Sequence, residues 1–510
     1  MQETNKSAIT SAKDMKLFYA CFVALVTTSF GFILRSLMLP EWGREFNLTQ
    51  TQLGEIAGVG LWPFAISIVL FSLVIDKIGY KTAMVFALIC HVASAVITIF
   101  ANGYWMLYIG TFIVALGNGT VEAAVNPVVA TMFPREKTKW LNILHAGWPG
   151  GLVLGGILAL LMGPETRWEY KIALILLPTV AYGIMMLSRQ FPVNERVKAG
   201  VSYKEMLQEV GAIGALIIVS LIIFQLGVVF EWSVLLNIIL ILLITVSFGI
   251  YTRSFGQPLF IILLLIMIPL ATTELGTDSW ITDLMTPAMN ELGMQAGWIL
   301  VYTSAIMFVL RFFAGPIIHK VSPLGLLAIC SAIAAVGLYM LSSSTGIMIL
   351  VAATVYGLGK TFFWPTMLGV VAERFPKGGA LTLNITGGLG MIAAGVIGAG
   401  IVGFIQDKSI DKNILAYDKV NNTTLHTDYV TESKTSVFGD YQAIDQSKLA
   451  VGSAEDVGSV VAIQDSARKT ALQDIVIFPI IMLVSYLGLI IFFRSRGGYK
   501  AVVVETGSSQ

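Results

Sequence analysis

The sequence predicts an all-α polytopic membrane protein, and three observations carry that prediction. Of 510 residues, 56% are hydrophobic and only 12% charged, with a mean hydropathy of +0.80; a soluble domain is roughly 25% charged. Apolar stretches of the ~20 residues that a bilayer-crossing helix needs recur along the whole chain. Lys and Arg concentrate in alternate short connections, as a fixed membrane orientation requires. The same numbers exclude a disordered chain, a disulfide scaffold and a string of soluble domains. A net charge of +1 gives no footprint for nucleic acid. Cys21, Cys90 and Cys330 lie in apolar runs and read as small buried hydrophobes.

Fourteen spans are read, at about 16–39, 52–75, 82–102, 104–133, 139–163, 170–189, 206–227, 230–251, 257–280, 293–318, 323–343, 346–373, 380–406 and 474–493. The first is too long, and lacks the small-residue cleavage site, for a removable signal peptide. With the N-terminus in the cytoplasm, twenty Lys and Arg fall on the cytoplasmic side, Arg311 and Arg374 among them. The short external loops then hold three, Arg44, Arg167 and Lys171. Both termini are therefore expected inside, in a cell membrane (plasma or bacterial inner). One external loop, 407–473, is long; it is expected to form a partly ordered cap, helical over Asp465–Gln473. Asn421 and Asn422 begin glycosylation sequons there, meaningful only in a secretory eukaryotic setting.

An internal repeat organises the spans. Phe133-Pro134 with Leu141-Asn142-Ile143 recurs, 242 residues on, as Phe375-Pro376 with Leu383-Asn384-Ile385. A Gly-x-Gly precedes each copy, at Gly117/Gly119 and Gly357/Gly359. This divides the chain into an N-terminal tail 1–15, a six-helix bundle 16–190, and a linker 191–256 with two extra spans. A second six-helix bundle, 257–493, carries the long loop, and a tail 494–510 follows. Ser202 and Glu205 make a capping box for the first extra span. The extra pair is apolar all round and reads as a spacer.

After span two comes Ser72, then Asp76, Lys77, Gly79 and Lys81. With the repeat, this resembles the major facilitator superfamily, whose loop motif reads Gly-x-x-x-Asp-Arg/Lys-x-Gly-Arg/x-Lys/Arg. The resemblance implies a fold of two six-helix halves, here with two inserted helices, and a cytoplasmic gate at Asp76, Lys77, Gly79 and Lys81. It covers all but the insert, the long loop and the tails.

Charges within spans are costly and usually face a cavity or a partner. Span one holds Arg35, near its external end: it either snorkels, binds substrate or pairs with an acid. Span four aligns Asn118, Glu122 and Asn126 on one face, followed by Pro127, which frees backbone carbonyls. A carboxyl there is placed to take up and release a proton. Span five aligns Asn142, His145 and Trp148, with His145 either a proton group or a satisfied polar core residue; its Gly147, Gly151 and Gly155 form a close-packing stripe. Span nine brings Glu274 and Asp278 to one face near its external end, with Ser279 and Trp280 next; the two carboxyls either share a proton or Asp278 stands at the water interface. Span twelve holds Lys360, placed to bond substrate or to balance Glu274 or Glu122, with Trp364 and Pro365 beyond it. Asn384, in span thirteen, is the repeat mate of Asn142. Arg311, His319, Glu373 and Arg374 are expected near cytoplasmic ends as gate bridges or anchors, and His91 in the core.

Two stretches narrow the resemblance. Gly119-Thr120-Val121-Glu122-Ala123-Ala124-Val125-Asn126-Pro127 resembles the fourth-helix signature of the fucose:proton symporter family, Gly-x-x-Glu-x-x-x-Asn-Pro. Glu274-Leu275-Gly276-Thr277-Asp278-Ser279-Trp280 is similar to its seventh-helix Glu-x-x-x-Gly-Ser-Phe. That implies a sugar-permease-like site with Glu122 in coupling or sugar binding. The chain departs from the family in its first helix, where Ser36 replaces an Asp and Arg35 stands beside it, and at Asp278, which replaces a Gly.

The expected function is secondary transport of a small polar solute, a monosaccharide, by proton-coupled alternating access. Glu122, His145 and Glu274 would carry the proton. Asn126, Asn142, Asn384, Lys360, Glu274 and Asp278 would bind hydroxyls, and Trp148, Trp280 and Trp364 would stack on the ring. The alternative is an organic anion or sugar acid held by Arg35 and Lys360. No nucleotide-binding loop, metal-spaced cluster or nucleophile elbow is present in the sequence, so neither enzyme activity nor a cofactor is expected. The partners expected are the substrate, protons and the bilayer, for a monomer.

Overall fold

The computed structural model describes residues 2–502 apart from 49, 164, 296 and 437–438; the tail from 503 on lies outside the described residues. Thirteen helices are long and apolar enough to span a bilayer, and a bent pair supplies a fourteenth. In chain order they are α1 (Met15–Leu39), α2 (Gln52–Ile78), α3 (Tyr80–Ile99), α4 (Tyr104–Met132), α5 (Lys137–Leu161), α6 (Trp168–Leu187), α7 (Tyr203–Val229), α8 (Val234–Thr252) and α9 (Pro258–Thr282). Then follow α10 (Trp298–Arg311 with Ala314–Val321), α11 (Pro323–Ser343), α12 (Met348–Arg374), α13 (Pro376–Asn421) and α14 (Ala454–Arg494). Every expected span has its helix. The first is continuous with the N-terminal tail, as one helix over Gln2–Glu45.

Across the seam between the halves, α2 packs on α13 and α5 on α10. The repeat seen in the sequence is visible in bonds. Asn142 of α5 donates from Nδ2 to Thr366 Oγ1 of α12 at 3.1 Å. Its mate Asn384 of α13 donates to the Ala123 carbonyl of α4 at 3.0 Å. Each fifth helix of a half thus reaches the fourth helix of the other.

The glycine stripe of α5 lies against α1. A Cβ on Gly151 would overlap Ser29 Oγ and the Val26 carbonyl, whereas one on Gly156 would meet only Ile33 and Val301, at 3.6 and 3.7 Å. Gly151→Ala is expected to cost about 1–3 kcal/mol, the usual range for overpacking. A thermal-shift midpoint that falls for G151A but not for G156A checks this.

The inserted pair explains itself locally. The Ser202–Glu205 capping box is formed. α7 breaks at Gly211, whose φ of +58° suits glycine. The broken ladder is repaired by the connection before α9: Ala212 N donates to Ser254 O at 2.9 Å and Gln257 N to Glu209 O at 3.1 Å. α7 packs on α9 and α13. α8 leaves Leu235, Leu243 and Ile250 exposed, as a lipid-facing helix does.

The long loop is more ordered than expected. α13 does not stop near 406 but runs to Asn421, and α14 begins at Ala454, a full 20 residues before the expected 474. The reason is a helical apolar stripe, Ile410 and Ile414, that meets Val460 and Ala467 of α14. A short helix (Leu425–Tyr429) and an antiparallel hairpin, β1 (Glu432–Ser436) and β2 (Gly439–Ala443), complete this extension.

Candidate functional site

Two compartments between the halves are lined by residues expected in the site. The wider has a volume of about 670 Å³ and is bounded by α1, α2, α4, α9, α10 and α13. Arg35 and Phe32 face it from one half, with Trp62 and Asn118. Asp278, Ser279, Trp280 and Trp298 face it from the other. The inner compartment is a void of about 20 Å³ lined by Glu122, His145, Trp148, Glu274, Arg311 and Trp364. Met391 lines both and stands between them.

Arg35 is 7% exposed, so it does not snorkel to water. Its Nη2 donates to Ser94 Oγ at 2.5 Å and its Nη1 to the Gly31 carbonyl at 3.2 Å. Its Nε has no partner, and no carboxylate pairs with it among the described residues. Ser94 is itself tied to the Gly110 carbonyl at 2.6 Å, which fixes the guanidinium. A cation held this way in a cavity wall lacks the countercharge that buried charges require.

Lys360 departs from both its expected partners. Its Nζ pairs with Asp278 Oδ1 at 2.5 Å and lies 5.0 Å from the Tyr356 ring centroid. Among the described residues it forms a close ion pair with neither Glu274 nor Glu122.

The largest correction concerns Arg311. Expected near a cytoplasmic end, it is 1% exposed and lies at the heart of the inner void. It is the last residue of the first segment of α10, immediately before the 67° bend. Nη2 pairs with Glu274 Oε1 at 3.0 Å, Nη1 donates to the His145 carbonyl at 2.6 Å, and Nε to the Thr361 carbonyl at 2.7 Å. Both carbonyls are free for a chemical reason. Each would accept from the amide four residues on, and those residues are Pro149 and Pro365, which have no N–H. The Ala123 carbonyl taken by Asn384 is freed in the same way by Pro127. Three prolines thus open three acceptors, and side chains from other helices fill them. Two of these bonds join the halves.

From Glu122 a polar chain runs inward. Asn126 Nδ2 donates to Glu122 Oε2 at 3.0 Å, and Asn126 Oδ1 lies 2.9 Å from His145 Nε2. His145 then meets Arg311 through its carbonyl, and Arg311 meets Glu274. The second oxygen of Glu274 accepts from Trp364 N at 3.1 Å. Glu274 stands on a π-helical turn, Thr272–Gly276, packed against a second one at Ala394–Ala399 of α13. Such turns inside α-helices concentrate at functional sites. Gly398 allows the contact: a Cβ there would lie 3.1 Å from Gly276 Cα.

The expected residues therefore divide. Arg35, Asp278 and Trp280 line the wide cavity. Glu122, His145, Trp148, Glu274 and Trp364 line the void. Asn126, Asn142, Asn384 and Lys360 line neither and spend their donors on protein partners. His91 is a satisfied core residue, between Tyr182 Oη at 2.9 Å and Asn118 Oδ1 at 3.0 Å. Phe32, Trp62, Trp298 and Met391 were not singled out by the sequence, because single apolar residues in apolar helices carry no signal. Arg311 did have one, in Pro149 and Pro365.

At the end of the bundle that carries the basic loops, the halves are joined. Glu373 Oε1 accepts from Thr138 Oγ1 at 2.5 Å and from Thr138 N at 3.3 Å, at the start of α5, where the helix favours an anion. Lys137 Nζ bonds Glu195 at 2.6 Å and the Ala372 carbonyl at 3.2 Å. The motif after α2 contacts the linker: Asp76 pairs with Arg196 at 2.5 Å, and Lys77 lies 5.1 Å from the Tyr203 ring centroid. Gly79 turns the chain at φ +84°, and Lys81 Nζ donates to the Leu187 carbonyl at 2.8 Å.

Comparison with known proteins agrees with this architecture. The family model described as Major Facilitator Superfamily matches residues 20–276. A gentisate transporter of Corynebacterium glutamicum is 25% identical over 166 residues, 32% of this chain and 37% of its own length. The L-fucose-proton symporter of Escherichia coli is 26% identical over 173 residues, 30% of this chain and 40% of its own length. The chain thus spans about two fifths of the length of the curated relatives it matches. A crystal structure of a major facilitator transporter, FucP, in the outward conformation aligns over 91% of this chain and 98% of its own, with a TM-score of 0.55 at 16% identity.

Proposed function

The chain belongs to the major facilitator superfamily, and on that premise we propose that it is a secondary transporter of a small organic anion, driven by protons through alternating access. Arg35 carries this reading. It is a buried cation in the wall of the wide cavity with no carboxylate partner among the described residues. An incoming carboxylate would supply the missing countercharge, in charge-assisted bonds. Phe32, Trp62, Trp280 and Trp298 around the cavity suit a solute with an apolar or aromatic body. A relative named for gentisate, a carboxylate, supports the same class. Lys360, engaged by Asp278, takes no part in holding the carboxylate.

Glu122, His145 and Glu274 are the proton-handling groups in this reading, one partition away from the solute at Met391. The closed seam at Thr138 and Glu373 supports an outward-facing state, with both termini in the cytoplasm. Return then requires that Glu373 release Thr138 while the wide cavity closes.

A monosaccharide is the second reading. Asp278, Ser279 and Thr282 line one wall of the cavity with hydroxyl and carboxylate oxygens beside Trp280, and one relative is named for L-fucose.

Proteoliposome uptake separates them. Aromatic acids and uronic acids are expected to compete, and the neutral sugars to leave uptake unchanged. Arg35→Gln should weaken anion uptake roughly 10–100-fold in KM, the worth of one hydrogen bond to a charged group of about 1.5–3 kcal/mol. Competition by neutral sugars alone, unaltered in R35Q, would reject the anion and leave the sugar.

A further inference from the structure

A second large cavity, about 500 Å³, opens at the basic end of the bundle, beside the seam. Glu209 of α7, Arg374 of α12, Lys377, and Arg496 and Lys500 of the C-terminal tail line it, with Leu259, Phe492 and Phe493 as its apolar floor. Four cations face one carboxylate, and that carboxylate is already bonded by Gln257 Nε2 at 3.3 Å. Lys377, Arg496 and Lys500 have no ion pair among the described residues. Arg374 gives Nη1 to the Lys500 carbonyl at 2.5 Å and keeps a buried Nε with no partner.

We propose that this cavity binds the phosphate headgroup of an anionic phospholipid. The cations, at the end of three spanning helices, lie at headgroup level, where each basic residue attracts anionic lipid. The apolar floor is what a lipid offers contact to and free phosphate does not: Phe492 is 39% exposed beside it.

Occupancy would bear on the seam. The tail that contributes Arg496 and Lys500 also grips Glu373: Tyr499 Oη donates to Glu373 Oε2 at 2.8 Å, and Val502 N to its carbonyl at 2.8 Å. The other oxygen of Glu373 is the one that holds Thr138. A headgroup that draws the tail in therefore stabilises the closed seam. This inference rests on the cavity and not on the identity of the transported solute.

The test uses the full chain, purified in detergent and incorporated in nanodiscs of phosphatidylcholine with or without phosphatidylglycerol. Native mass spectrometry is expected to retain one phosphatidylglycerol on the wild type. The K377Q/R496Q/K500Q variant should bind it on the order of 100-fold more weakly, at roughly fivefold per charge removed. A control, R189Q/K198Q/K204Q, removes as much charge outside the cavity and should keep the lipid. Hydrogen exchange over 496–502 should slow when phosphatidylglycerol is present. Equal loss in the control, no retained lipid in the wild type, or unchanged exchange in the tail would overturn the proposal. Inorganic phosphate in phosphatidylcholine nanodiscs is the remaining arm. Tail protection by millimolar phosphate equal to that by the lipid would overturn the lipid assignment in favour of a soluble phosphate.

Discussion

Replacing Arg311 with alanine is expected to cost about 3–5 kcal/mol of tertiary stability, because it leaves Glu274 as an uncompensated buried charge. It should also abolish uptake. The loss goes beyond the ion pair: R311A strands the His145 and Thr361 carbonyls, whose amide partners were removed by Pro149 and Pro365. Two further variants separate these contributions. Arg311→Lys keeps a charge for Glu274 but has no planar fork to reach two carbonyls as well, so it should recover only part of the stability. The double variant R311M/E274L removes both charges; apolar replacement of a buried pair is often neutral or stabilising, so it should fold better than R311A. It should remain inactive. Thermal-shift midpoints and proteoliposome uptake measure the two properties on the same preparations. If R311A were as stable as wild type, Glu274 would not be charged beside it, and the inner void would hold no ion pair. If R311M/E274L transported normally, the pair would be a packing device with no part in coupling.

Arg311 also marks where reading the sequence stopped working. All fourteen spans were legible, because each is a long apolar run whose helix needs no tertiary information. The repeat was legible too, and it made Asn384 the mate of Asn142, but it did not show the reciprocal bonds that the two make between the halves. What could not be read was depth within α10. Arg311 looks like the end of its span, because nothing in the hydropathy shows that the helix bends just beyond it and continues as a second segment, Ala314–Val321. The partners of the remaining charges were likewise out of reach. Glu274 and Asp278, one turn apart, take different cations from different helices, Arg311 and Lys360. Which acid pairs with which base depends on the rotation of α10 and α12 against α9, and hydropathy is blind to rotation. The same blindness left Arg35 ambiguous: only packing against Ser94 shows it turned into the cavity and not out to lipid headgroups.

Glu122→Gln is expected to remove uphill accumulation and spare exchange. Glutamine matches glutamate in size and can still accept the hydrogen bond from Asn126 Nδ2. The chain through Asn126 to His145 therefore survives, and with it the packing of α4 on α5. What glutamine cannot do is bind and release a proton. For one proton per solute, a pH difference of one unit supports roughly tenfold accumulation, the equivalent of about 1.4 kcal/mol. With E122Q that ratio should collapse to one, while counterflow between loaded liposomes and labelled solute continues near the wild-type rate. The distinction matters because Glu122 shares its void with Glu274, a second carboxyl that the first could hand its role to. Glu274 is held by Arg311 and by Trp364 N, so its charged form is already compensated. Glu122 has no ion pair among the described residues and one neutral donor, which leaves it the freer of the two to change protonation as the halves move. Accumulation that persists in E122Q and disappears in E274Q would reverse that order and move the coupling proton to α9. Loss of both accumulation and counterflow in E122Q would instead mean that the carboxyl is needed for the halves to rock at all.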